Sequence, residues 1–136
     1  MKSDKEGDKK RYTLDEVFAP RGIAVVGVSP NRVGFAELVV EALKGAEFPA
    51  IYPVNPNHQE VLELPCYARL SDIPGAVDHV IVNIPAGKVL TLLDECAAKA
   101  VRSVHFFTAG FGESGISERA ELEKQMLNKA RESGFR

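Results

Sequence analysis

Gly27, Ser29, Arg32 and Gly34 fall within one short stretch, Gly-Val-Ser-Pro-Asn-Arg-Val-Gly, and that set suits an anion. Gly27 permits a sharp turn, and Gly34 lets a following helix pack closely. The free N–H groups at a helix start attract phosphate. Val28 lies between the turn and Ser29, whose hydroxyl adds a donor. Arg32 stands where a cation opposes the helix dipole by about 0.3–1 kcal/mol. It either meets an anion or points into water. The spacing departs from the Gly-x-Gly-x-x-Gly of dinucleotide sites, because Ser29 replaces the middle glycine.

The stretch Pro53-Val54-Asn55-Pro56-Asn57-His58 has no carboxylate before Glu60. A site for NAD places Asp or Glu at this point to bond the ribose 2′-OH. Its absence counts against NAD and suits a ribose that carries a phosphate; a plain proline turn is the other reading. Asn83-Ile84-Pro85-Ala86-Gly87-Lys88 closes another apolar run. Lys88 opens the next helix, either as a second phosphate contact or as a solvated side chain. Thr108–Gly115 holds three glycines, and Thr108, Ala109 and Gly110 could present main-chain N–H groups. Glu113 and Ser114 have no histidine near them in sequence, so a flexible turn serves equally well. Ser29 is not a hydrolase elbow, since Asn31 stands where a glycine is needed. His58, His79 and His105 lack the spacing of a helical metal pair. Cys66 and Cys96 form no disulfide framework and read as small buried side chains.

The elements that must position these loops repeat regularly. Apolar runs begin at Ile23, Ala50, His79 and Ser103, with starts about 24 to 29 residues apart, which suits a strand plus a crossover helix. Thr13 and Glu16 form a capping-box pattern for a short first helix that ends at Pro20. Ala36, Val39, Val40 and Leu43 give one apolar helix face, and Val89, Leu93, Cys96, Ala97 and Ala100 give another. The proline-rich second connection predicts only a short helix around Leu70–Ile73. Ser117–Ser133 predicts an exposed helix striped by Leu122, Met126 and Ala130, closed by Gly134. Runs that are apolar without strict alternation are buried on both faces, as in a parallel sheet. The expected fold is therefore α/β, a doubly wound, Rossmann-like parallel sheet. Right-handed crossovers bring every loop that follows a strand to one edge, where ligands bind.

The chain has 136 residues, 45% of them hydrophobic and 26% charged, with a net charge of −2. That supports a single domain with a real core, residues 13–136, behind a charged, disordered tail over residues 1–12. No basic excess points to nucleic acid, no run is long enough to cross a membrane, and the first residues lack a signal-peptide core. A cytoplasmic location follows by default. The last residues, Glu-Ser-Gly-Phe-Arg, fall where a fifth strand is expected to begin, so the domain is expected to lack its last strand.

Taken together, the stretches Phe18–Ser29, Ile51–Val61, Leu64–Ala86, Glu95–Gly115 and Ala130–Arg136 are specific. The chain resembles the N-terminal CoA-binding domain of NDP-forming acyl-CoA synthetases, the ADP-forming acetate–CoA ligases, which are related to the succinyl-CoA synthetase α subunit. The resemblance implies coenzyme A along the edge described above. Its phosphates would meet Gly27, Val28, Ser29, Arg32 and Gly34, and Lys88, read above from its place at a helix start, lies on the same edge. Its adenosine end would lie near Pro53, Val54, Asn55 and Asn57. The pantetheine arm would pass Ile84, Pro85, Ala86 and Thr108–Gly110. Some residues depart from the family pattern. Asn57 stands where Lys is common, Leu64 where Gly is common, and the first loop is about two residues shorter. The family's phosphorylated histidine belongs to a following domain, and His58, His79 and His105 do not match it. The resemblance therefore implies a module that positions CoA or acyl-CoA for the remaining domains or subunit of a ligase and is not catalytic alone. A nucleotide-sensing regulatory domain, or a protein-contact module forming a homodimer, are the alternatives.

Overall fold

The computed structural model describes residues 12–31, 33–107 and 116–136, with the main chain alone for 116–119. After a short helix α1 (Leu14–Phe18) the order is β1 (Ile23–Val26), α2 (Phe35–Gly45), β2 (Ile51–Val54), β3 (Glu60–Val61), β4 (Leu64–Pro65), β5 (His79–Val82), α3 (Val89–Ala98), β6 (Ser103–Phe106) and α4 (Ile116–Ser133). The predicted capping box closes α1: Thr13 Oγ1 accepts from the Glu16 N–H, and Glu16 accepts from the Thr13 N–H. The expected short helix in the second connection is a single 3-10 turn at Leu70–Asp72.

Four strands form one parallel sheet in the order β2-β1-β5-β6. The chain runs outward from β1 to β2, then returns to the other side of β1 for β5 and β6. With right-handed crossovers this puts α2 on one face and α3 on the other. Alternation within β1 feeds both faces. Ile23 and Val25 pack with Ala36 and Val40 of α2, while Ala24 and Val26 pack with Leu92, Leu93 and Cys96 of α3. A fully buried side chain of this size contributes about 1.5–3 kcal/mol. Register aligns Val26, Val54, Val82 and Phe106 across the sheet, so all four strands end level.

Two details differ from the sequence reading. The buried stripe of α3 is Val89, Leu92, Leu93 and Cys96, while Ala97 and Ala100 are exposed. The helix ends at Ala98, and Ala100 takes a positive φ of 58° in the turn beyond. The second connection also contains the hairpin β3–β4, which carries Val61 into the α2-side core. Its two-residue turn places Leu62 and Glu63 at positive φ. Such a turn normally calls for Asn-Gly, so the sequence carries no hairpin signal here.

The edge of the sheet away from the strand ends is held by Asp78. Its side chain is 1% exposed and accepts from the Arg21 N–H, Nε and Nη2, each at 2.8 Å. Arg102 Nε lies 3.6 Å away. Hydrogen bonds from Arg21, helped by the charge of Arg102, hold the Asp78 carboxyl below the usual carboxylate range against the opposing effect of burial. Asp78→Ala is expected to cost about 2–3 kcal/mol in a urea melt. That is less than for a fully buried pair, because Arg21 stays largely in water. A folded-state pKa below the unfolded one means that the stabilisation is complete above about pH 4 and is lost as pH falls through the lowered value. The melting temperature of the wild type should therefore fall more steeply on acidification below pH 4 than that of Asp78→Asn.

At the far side of the sheet, Phe135 is buried against the α3-side core. Arg136 exchanges main-chain hydrogen bonds with Arg102 and Val104, running beside β6 where a fifth strand is expected. Tyr12, which the sequence reading counts with the tail, is tied to this corner. Its carbonyl accepts from Arg136 Nε, and its ring lies 5.8 Å from the Arg102 guanidinium. Residues 1–11 lie outside the described residues.

Candidate functional site

The level strand ends bring Gly27, Asn55 and Asn83 side by side. The Gly27 N–H donates to the Val54 carbonyl and the Asn83 N–H to the Val26 carbonyl. Gly27 sits at φ 98°, and a Cβ there would lie 2.1 Å from the Asn83 carbonyl oxygen. Only glycine lets the two strand exits approach so closely. This is the point where strand order reverses, the usual place for a ligand in an open α/β sheet.

A cleft of about 460 Å³ opens here on the α3 side of the sheet. That volume lies within the range typical of small-molecule sites. Gly27, Val54, Asn55, Asn57, Ile84, Pro85 and Lys88 of the expected residues line it. So does Gly87, inside the expected loop Pro85–Lys88, and so do Asn83, Thr91, Leu92 and Glu95, which the sequence reading did not single out. The missed signal was spacing: Lys88, Thr91, Leu92 and Glu95 recur at i, i+3, i+4 and i+7, one stripe of a helix.

The other expected residues lie around or away from the cleft. Pro53 and Val28 are buried, and the Val28 side chain belongs to the α2-side core. Ser29 and Gly34 are half-buried on the first loop, and Ala86 is half-buried in the 3-10 turn Ala86–Lys88 that leads into α3. Gly34 is the N-cap of α2 and supplies no side-chain cap, so the first N–H groups of that helix lack an internal partner. Arg32, Thr108, Ala109 and Gly110 lie outside the described residues, as do Glu113 and Ser114.

Several side chains on this edge serve the fold. Asn55 Nδ2 donates to the Val28 carbonyl at 2.8 Å, while its Oδ1 accepts from the Asn57 N–H at 2.9 Å. Both ends of its amide thus fix the loop after β2 against the loop after β1. Glu37, in the first turn of α2, is buried, and among the described residues neither of its carboxylate oxygens has a hydrogen-bond partner. The positive end of the helix dipole is its compensation. Lys88, in contrast, is exposed at the mouth of the cleft, and its ammonium has no partner among the described residues.

The cysteines, His79 and His105 read as structural. Burial pushes the Cys96 thiol up to about 12 and raises Cys66 as well, so neither is a ready nucleophile. His79 Nδ1 lies 2.6 Å from Ser103 Oγ, and burial lowers its pKa. His105 stacks on Phe107 at 4.2 Å between ring centroids. No group of three metal-ligating side chains occurs among the described residues. A second groove of about 360 Å³ between α4 and β6 is lined mainly by apolar side chains, with Glu123 and Arg136 as its charged members. No described helix is long and apolar enough to cross a membrane.

The family model described as "CoA binding domain" matches residues 21–136. The chain belongs to this CoA-binding domain family. Among curated relatives, acetate–CoA ligase (ADP-forming) II of Archaeoglobus fulgidus is 36% identical over 137 aligned positions, which cover 96% of this chain and 20% of that protein. The α subunit of acetate–CoA ligase (ADP-forming) II of Pyrococcus furiosus is 40% identical over 90% of this chain and 27% of its own length. Among solved structures, the dinucleotide-forming acetyl-coenzyme A synthetase 1 of Ca. Korarchaeum cryptofilum, in complex with phosphate and ADP, superposes with a TM-score of 0.81 at 34% identity. That match covers 91% of this chain and 26% of that one. The CoA-binding domain thus spans about a quarter or less of these relatives. The expected Rossmann-like sheet and the resemblance to ADP-forming synthetases both stand.

Proposed function

We propose that this CoA-binding domain holds coenzyme A across the cleft and the loops beside it, as one part of an NDP-forming acyl-CoA synthetase. The observation that carries this reading is the family match over residues 21–136. Relatives named as ADP-forming acetate–CoA ligases support the reaction class. The parent reaction would convert acyl-CoA, a nucleoside diphosphate and phosphate into carboxylate, CoA and the triphosphate.

The residues present fit such a ligand. The exit of β2 has no carboxylate before Glu60, so a ribose bearing a 3′-phosphate meets no like charge there. The uncapped start of α2 and the ammonium of Lys88 suit phosphates. Ile84 and Pro85 give the pantetheine arm an apolar rail along the edge. Asn57, on the Asx turn built by Asn55, would offer the 3′-phosphate neutral donors in place of the charge the family commonly uses there. Arg32, Ser29 and the loop from Thr108 to Gly110 complete the proposed contacts. Bound CoA would supply the thiol sulfur that carries the acyl group and is freed when that group leaves; this domain would orient the ligand and contribute no nucleophile.

A thermal-shift panel tests the reading. CoA at a hundred times its Kd should stabilise the fold by about 2.7 kcal/mol and raise the melting temperature. NAD at the same concentration should leave it unchanged. A shift with NAD and none with CoA would favour a nucleotide sensor instead.

A further inference from the structure

The cleft has chemically distinct ends. Lys88, the N-cap of α3, lies at its mouth, and Glu95 lies seven residues further along the chain on the helix itself. Seven helical residues span about 10.5 Å. That is close to the reach from a diphosphate to the far edge of an adenine. Between the ends, Val54, Ala68 and Leu92 give the walls an apolar character suited to a flat ring.

We propose that Glu95 reads the exocyclic amine of the CoA adenine at the end of this cleft away from Lys88. The inference rests on the CoA-binding reading above and deepens it. An ionised carboxylate is acceptor-only, so it selects a donor edge and repels the ring nitrogens. Among the parts of CoA, the adenine combines flat apolar faces with an amine on its outer edge. The Glu95 carboxylate is half-buried and makes no hydrogen bond to another side chain or main-chain group among the described residues. Arg69 and Asp72 are the charged neighbours that act on it, with opposite signs. A half-buried acceptor that makes no protein hydrogen bond is open to an incoming N–H donor. Glu95 is thus a specificity residue that sits at the opposite end from the reactive thiol.

The test is calorimetry with CoA and with its ethenoadenine derivative, in which the amine is masked, on the wild type, Glu95→Gln and Glu95→Ala. The wild type should bind CoA about tenfold or more tightly than the derivative. In Glu95→Ala the two affinities should converge to within about twofold, mainly through weaker CoA binding. Glu95→Gln, which keeps size and one acceptor, should fall between and guards against loss of the fold in the alanine variant. Equal binding of both ligands by the wild type would overturn the assignment, as would full discrimination by a folded Glu95→Ala. No CoA binding by a folded wild type would overturn the functional reading and this inference with it. CoA binding without discrimination overturns this inference alone.

Discussion

Gly27→Ala is expected to destabilise the domain by about 3 kcal/mol or more. Two effects combine. A side chain at φ 98° is strained whatever space surrounds it, at about 1–3 kcal/mol. The new Cβ would also meet the Asn83 carbonyl at 2.1 Å, so β1 and β5 must separate at their exits. Forcing an extra carbon into a tight site costs about 1–3 kcal/mol more. Domains of this size have about 5–15 kcal/mol in all, so one methyl group should remove a large share. A urea titration followed by circular dichroism reads the loss as a lower midpoint. A midpoint within error of the wild type would mean that the two exits are not packed as described.

Lys88→Ala is expected to act in the opposite way, on binding and not on folding. Its ammonium is exposed and has no partner among the described residues, so the urea midpoint should stay within about 0.5 kcal/mol of the wild type. Losing one charge-assisted contact to a phosphate should weaken CoA by about 1.5 kcal/mol, roughly tenfold in Kd. Lys88→Arg keeps the charge and should restore most of the affinity. The wild type should also lose affinity more steeply with salt than the alanine variant, since screening acts on the contact removed. Equal CoA affinity in Lys88→Ala and the wild type would remove this lysine from the phosphate site.

The two variants mark what was readable in the chain. Strand positions came from apolar runs spaced by crossover lengths, and the edge that carries the cleft followed from topology alone. Gly27 was legible because glycine at the end of an apolar run has a mechanical reason. Lys88 was legible because a cation at a helix start opposes the dipole. Thr91 and Glu95 were not, because a polar residue in the middle of a helix looks like any solvated position until the neighbouring element is known. The β3–β4 hairpin was hidden because its turn uses Leu62 and Glu63 at positive φ, where glycine or asparagine would have announced it. The double use of the Asn55 amide is a long-range effect, joining β2 to the loop after β1 across residues far apart in sequence. The α3 stripe ends sooner than its periodicity implies, since the apolar pattern continues to Ala100 while the helix stops at Ala98.

The resemblance added what residue chemistry alone could not. A ribose phosphate suited the acid-free exit of β2, but the choice of coenzyme A among phosphorylated nucleotides came from the family pattern. Leu64 illustrates the limit of such carry-over. It lies in β4, whereas the positive-φ positions of that hairpin are Leu62 and Glu63.

The account's central claim is that this domain binds coenzyme A, and titration calorimetry tests it most directly. CoA injected into the folded chain should give a one-site isotherm with a Kd below a millimolar, and dephospho-CoA should bind more weakly because it lacks the 3′-phosphate. No heat of binding with CoA at millimolar concentration, on a sample whose fold is verified by circular dichroism, would contradict it.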